Sequence, residues 1–335
     1  MRAMVLTEAK PFDGKALAPS ERPDPRPEPG ELAIAVEACG VCRTDLHIVE
    51  GEVAARLPVV PGHQAAGRVV GVGEGVSGWK EGDLAGVTWM ASTCGRCRFC
   101  TSGRENLCEE ATFTGRDRDG GFAERLTARA DWVYRLPEGF SAAQAAPLLC
   151  AGIIGYRSLK LSGIQPGGRL GFFGFGAAAH LAIQVAHHWK CSVYAFTREQ
   201  HHRDLAISMG AVWAGATDDD PRILLDAAVT FAPAGEVVAA AVKRLDRGAT
   251  VAINAIHMTP IPELSYESLY GERSIRSVQN YTHGDAEEFL ELASAIPIHA
   301  ETEVFPLEQA NEALGRIKRG EVHGAAVLAV GGQKT

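Results

Sequence analysis

Apolar and polar residues alternate through Glu31–Ala38 (ELAIAVEA), the pattern of a strand with one face buried. Short runs at Arg2–Leu6, Gly67–Gly73 and Phe122–Leu136, the last with a break, read the same way. Residues 1 to 140 therefore predict many short strands joined by turns. Five prolines at near-alternate positions between Pro19 and Pro29 force extended, non-helical backbone there. Past Ser141 the pattern changes. Ser141 suits the cap of a helix that starts at Ala142 and continues through Ala145 and Leu148. From Arg169 onward strands are expected over 169–174, 191–197, 225–232, 249–254 and 274–279. Helices are expected between them over 177–189, 199–209 and 235–245. This alternation predicts a parallel sheet with right-handed crossovers. The last stretch reads as helix 285–296, strand 302–305, helix 307–318 and strand 324–330, and fits either unit.

Length agrees with two units: 335 residues at roughly 150 per domain. With 46% hydrophobic and 22% charged residues the chain can bury a large core. Its net charge of -8, from 33 basic and 41 acidic side chains, argues against a nucleic-acid partner. The segment Met1–Lys10 reaches Glu8 before an export signal's apolar core could form. Leu170–Trp189 carries no formal charge and is long enough to span a bilayer. Gly171, Gly174 and Gly176 break it, and His180, Gln184, His187 and His188 follow, so no membrane span is expected. A cytoplasmic location is the expectation.

The eight cysteines change the picture most. Cys94, Cys97, Cys100 and Cys108 crowd into fifteen residues in a large chain with no expected export signal, which favours metal over disulfides. Two CxxC steps place three sulfurs on one tight loop and Cys108 closes a fourth corner, the composition of a closed structural Zn2+ site. A second set is dispersed: Cys42 in CGVCRTDLH, His63 in PGHQAAGRVVGVG and Cys150 in APLLCAG. A Cys2His set leaves one zinc position open, which is a catalytic arrangement. Cys39 and Cys191 read as buried small residues.

After the strand from Arg169 comes Gly174-Phe175-Gly176-Ala177-Ala178-Ala179, opening a helix. A GxGxxA turn in this strand–turn–helix context is a dinucleotide cradle. Its glycines admit the pyrophosphate, and the helix N-terminus supplies amide hydrogens, with Phe175 to Ala178 forming the cradle.

Five motifs in order (GVCRTDLH, GHQxxGxxxxxG, the four-cysteine lobe, PLLCAG and the glycine-rich turn) give a family resemblance over nearly the whole chain. The chain resembles a zinc-containing alcohol dehydrogenase of the medium-chain dehydrogenase/reductase superfamily. The resemblance implies an α/β fold: a GroES-like strand-rich catalytic domain over 1–152 and 285–335, with a structural zinc lobe at 94–108. A Rossmann doubly wound domain would occupy 153–284. It implies two Zn2+ per chain, one catalytic on Cys42, His63 and Cys150 and one structural. Asp45 would orient His63, and Thr44 would pass the substrate proton to His47, a side chain type that ordinarily titrates near neutral pH. Trp89 and Phe113 would line an apolar substrate pocket. Arg43 and His283 would contact the cofactor pyrophosphate. The reaction would be reversible hydride transfer between a primary or secondary alcohol and NAD or NADP, in a homodimer or homotetramer.

Two departures stand out. Gln64 follows the ligand histidine where the family carries Glu, which keeps shape but removes a negative charge. Slower exchange at the zinc is the expectation. Thr197 stands where NAD-specific relatives usually carry Asp, and Arg198 beside it is able to pair with a 2′-phosphate, while Glu199 is able to serve the ribose. The cofactor choice stays open on these residues. Alternative readings are a polyol or other secondary-alcohol dehydrogenase, and a weakened NAD(P)-binding or redox-sensing protein in which Gln64 disables turnover.

Overall fold

A computed structural model describes residues 1–296 and 298–331. Its contacts divide the chain into two compact units, Met1–Cys150 with the segment from Thr282 onward, and Ala151–Tyr281.

The first unit begins with β1 (Arg2–Leu6) and β2 (Leu17–Glu21), an antiparallel pair. β3 (Glu31–Val41) follows, then α1 (Arg43–Val49), β4 (Ala65–Val72), β5 (Leu84–Val87), β6 (Met90–Ser92), β7 (Thr112–Phe113), β8 (Arg125–Arg129) and β9 (Val133–Arg135). The strand predicted at Glu31–Ala38 runs on to Val41, where Ala326 still pairs with it. A 3-10 turn at Ala130–Trp132 supplies the expected break before β9. The helix from Ala142 is shorter than its pattern suggests. It is α2 (Ala142–Ala145), capped by Ser141 accepting the Gln144 N–H, and Pro147 tightens the next turn to 3-10.

The second unit starts with α3 (Ala151–Ser162) and continues β10 (Arg169–Phe173), α4 (Ala177–His188), β11 (Ser192–Phe196), α5 (Gln200–Ser208) and β12 (Trp213–Gly215). It then runs through β13 (Ala227–Thr230), α6 (Gly235–Lys243), β14 (Thr250–Ile253), α7 (Tyr266–Leu269) and β15 (Ser274–Ser277). The strands form one all-parallel sheet in the order β12-β11-β10-β13-β14-β15, the doubly wound order of a dinucleotide-binding fold. One face buries Phe173, Phe196, Val251 and Ile253 against Val238, Val242 and Leu245. The Phe173 and Phe196 rings stack at 4.3 Å.

The chain then returns to the first unit with α8 (His283–Ala295), β16 (Thr302–Pro306), α9 (Ala310–Arg319) and β17 (Ala325–Ala329). β17 pairs antiparallel with β3, and β16 pairs parallel with β17, so the main sheet runs β16-β17-β3-β4-β5-β9 with β8 also on β3. The two chain crossings lie at 150/151 and 281/282.

Candidate active site

Cys42 is both the residue after β3 and the N-cap of α1. Its sulfur accepts the Thr44 N–H at 3.2 Å, and the Asp45 carboxylate accepts the Cys42 N–H at 2.9 Å, a reciprocal capping box. The other Asp45 oxygen accepts the Gly62 N–H at 3.2 Å and His63 Nδ1–H at 3.0 Å. Asp45 is fully buried, and these three donors balance the cost of burying its charge. With Nδ1–H held by Asp45, Nε2 is the ring atom left to meet a cation once its own proton is displaced. It is buried and has no hydrogen-bond partner among the described residues. Nearby, Cys150 sits between the 3-10 turn Ala146–Leu149 and α3. The ligating atoms of Cys42, His63 and Cys150 all lie within 4.8 Å of one another.

The backbone before His63 permits no side chain. Gly62 has φ +97°, and a Cβ there would meet Phe122 Cδ1 at 2.4 Å. Gln64 is buried, its side chain 2.9 Å from where a Cβ on Gly40 would sit.

The charges agree with a cation site. A hydrogen bond with Cys150 holds the Cys42 thiol well below the ordinary thiol range, against burial and with help from His63. The same hydrogen bond, with burial, drives Cys150 up. Burial opposes a charge on His63, but Asp45 and Cys42 outweigh it and hold the imidazole at about 10. Without a metal the site thus retains two protons that a metal ion would displace.

Trp89 packs against the His63 ring edge-on at 5.0 Å and stacks on Phe113 at 4.8 Å, an aromatic wall beside His63. His47 is buried in α1, and its Nδ1 is hydrogen-bonded to the Glu52 carboxylate. Glu52 is absent from the sequence expectations. Five residues apart on a helix the two would not face each other, but α1 ends at Val49, with Glu50 as its cap. The turn after it folds back, with Glu52 and Val53 N–H groups on the His47 carbonyl. Arg43 donates to the Ile317 carbonyl at the end of α9, 3.1 Å away.

The four lobe cysteines also bring their sulfurs within 4.8 Å of one another. All eight cysteines are free thiols. The Cys97 N–H points at Cys94 Sγ and the Cys94 N–H at Cys108 Sγ, at 3.4 and 3.5 Å. Amide hydrogens from Cys100 pull Cys97 down to about 7, while burial raises Cys108 to about 11. The lobe is tied down by Glu105, which is buried and accepts the His283 N–H at 2.6 Å. His283 itself lies in the first unit. Its ring lies tilted against Trp132, 3.9 Å between centroids, and Nδ1 is hydrogen-bonded to the Tyr134 hydroxyl at 2.9 Å. These contacts hold the ring within the first unit.

In the second unit Gly174 follows β10 with φ +92° and lies against the Ala232 amide. Gly176 caps α4 with no side-chain hydrogen bond, and a Cβ on it would meet nothing within 4 Å. Phe175 is buried, and Ala177 and Ala178 open the helix. The turn therefore presents bare backbone at a helix N-terminus, the geometry a pyrophosphate needs. At the end of β11, Thr197 is buried and Arg198 is exposed.

Comparison with known proteins decides the family. Residues 28–138 match the alcohol dehydrogenase GroES-like domain. The probable alcohol dehydrogenase AdhA of Mycobacterium tuberculosis is 45% identical over 337 residues, covering 98% of this chain and 97% of its own. The chain belongs to the zinc-type alcohol dehydrogenases of the medium-chain dehydrogenase/reductase superfamily. Among solved structures, a cinnamyl alcohol dehydrogenase of Sorghum bicolor superposes with TM-score 0.88 at 28% identity, covering 99% and 98% of the two chains. A cobalt- and zinc-bound thermostable alcohol dehydrogenase of Pyrobaculum aerophilum superposes at 0.89 with 26% identity, covering 98% and 99%. As an alcohol dehydrogenase the chain is an NAD(P)-dependent oxidoreductase, and these relatives favour that reading over the polyol and redox-sensor alternatives. No helix among the described residues is long and apolar enough to cross a membrane.

Proposed function

We propose that this alcohol dehydrogenase holds a catalytic Zn2+ on Cys42, His63 and Cys150, and a second, structural Zn2+ on Cys94, Cys97, Cys100 and Cys108. The observation that carries the first site is the buried, unpartnered His63 Nε2 beside two sulfurs, fixed in its tautomer by Asp45. When bound, Zn2+ supplies Lewis acidity that makes an alcohol hydroxyl easier to ionise. The chain's own residues do the rest. Thr44 takes the substrate hydroxyl proton and passes it to His47. His47 hands it on through Nδ1 to Glu52, whose carboxylate is more than a third exposed and reaches solvent. Trp89 and Phe113 exclude water and favour an apolar alcohol. The substrates are primary or secondary alcohols and the matching aldehydes or ketones.

The adenosine end supports NADP. Thr197 replaces a carboxylate, Arg198 has no ion-pair partner among the described residues, and α5 has no acidic residue in its first turn. Arg43 stays assigned to the pyrophosphate by family resemblance. Pairing of copies through the second unit is supported by its edge strand β15 and by the exposed Tyr266 and Tyr270, giving a homodimer or a homotetramer built from it.

Zinc content and pH test the metal assignment together. Loading the metal-free enzyme displaces protons from His63 and Cys150, so uptake is expected to release protons and to keep tightening as pH rises toward about 10. Calorimetry in buffers of different ionisation enthalpy reads this directly. Uptake without proton release would refute the assigned ligands.

Gln64 has its own test. Gln64→Glu places a buried negative charge next to His63 in the chain, and a rise in kcat is expected if exchange at the metal is slow in the native enzyme. Unchanged kcat and KM would remove Gln64 from the account of turnover.

A further inference from the structure

β11 ends at Phe196, and the next two carbonyls, of Thr197 and Arg198, lie beyond the ladder. The Thr197 N–H still bonds the Gly215 carbonyl at 2.9 Å. One side chain takes both carbonyls. Arg203, a turn into α5, donates Nε–H to Thr197 O at 2.9 Å and Nη2–H to Arg198 O at 2.6 Å. Its Nη1 lies 3.4 Å from Gln200 Oε1, and the Gln200 amide in turn donates to Asp204 at 2.8 Å. A planar guanidinium bonded to two successive carbonyls fixes the peptide plane between them, which a lysine cannot do with one point charge on a flexible stem. With three of its donors engaged on the chain, Arg203 acts through the turn it holds.

We propose that Arg203 is a positioning residue for the 2′-phosphate of NADP: by locking the Thr197–Arg198 turn it holds the Arg198 guanidinium ready for that group. This rests on the NADP reading above. Arg198 is the exposed cation beside that turn, and the neighbouring carboxylates of Glu199 and Asp204 are exposed as well. Both leave Arg198 without an ion pair among the described residues. A structural staple alone would support the whole adenosine site, whereas a positioning role acts on the phosphate.

The test uses 2′,5′-ADP and 5′-AMP as probes, titrated calorimetrically into the zinc-loaded native enzyme and into Arg198→Ala, Arg203→Lys and Arg203→Gln, with Tm recorded for each. The native enzyme is expected to prefer 2′,5′-ADP by roughly ten- to a hundredfold, the range of a charge-assisted hydrogen-bonded contact. Arg198→Ala removes that preference. Both Arg203 variants lose most of it while their affinity for 5′-AMP changes little. If the Arg203 variants keep the native ratio, or weaken both probes equally, the positioning role is wrong. If Arg198→Ala also keeps the ratio, or the native enzyme shows none, the NADP reading itself has failed.

Discussion

Cys150→Ala is expected to lower kcat/KM for alcohol oxidation by roughly a thousandfold, the scale of losing several kcal/mol of Lewis-acid assistance. Zinc content should fall by one ion per chain while the lobe keeps its own. The reason is local. Cys150 closes the set made with Cys42 and His63, and its hydrogen bond is what keeps Cys42 ionised. Asp45→Asn should give a milder version of the same result, with metal affinity or activity down roughly ten- to a hundredfold. The new amide would turn an N–H toward either the Cys42 N–H or the Gly62 and His63 donors, all of which the carboxylate now satisfies. Elemental analysis beside steady-state kinetics separates the two outcomes. A Cys150→Ala enzyme with full activity and both ions would end the proposed assignment.

Cys108→Ser is expected to remove the other ion and to act on stability. Structural zinc in small peptides contributes about 10–16 kcal/mol of apparent binding energy, so a lobe without its metal should not hold its fold. A fall in Tm of at least about 5 °C is expected, since 1 kcal/mol corresponds to about 2–4 °C at this domain size. Protease cleavage should open within the Cys94–Cys108 loop. Catalytic zinc should remain. Unchanged Tm and unchanged zinc content would show that the four sulfurs hold no ion.

Much of this was legible in the residues because the relevant signals are local. The parallel strands of the second unit, such as Leu170–Phe173 and Ala227–Thr230, are short apolar runs buried on both faces, and helices separate them. The lobe's sulfur spacing is likewise a short-range pattern. What escaped depended on partners distant in sequence or on very short elements. α3 is hidden by Gly152 and Gly155, which weaken a helical pattern. Gly155 is there because a Cβ would crowd the Ala178 carbonyl of α4 at 3.1 Å. β12 has three residues, too few to show a period. The Glu52 contact to His47 needs the turn after α1, and the Arg203 clamp needs the exact path of the chain past β11. His283 is a related case. Its expected place near the cofactor rests on family position alone, and the contacts it makes, to Trp132, Tyr134 and Glu105, join residues far apart in the chain.

The return of β17 to β3 sets an order of events during synthesis. The second unit is one continuous stretch, Ala151–Tyr281, and all its strand partners lie within it. The first unit has no such independence, since β3 waits for a partner made almost three hundred residues later. The Glu105 contact that anchors the zinc lobe likewise needs His283. On a ribosome adding residues from the N-terminus, the first unit emerges first yet is completed last. Its unpaired β3 edge is exposed meanwhile, which makes this strand the place where nascent chains most need protection from association.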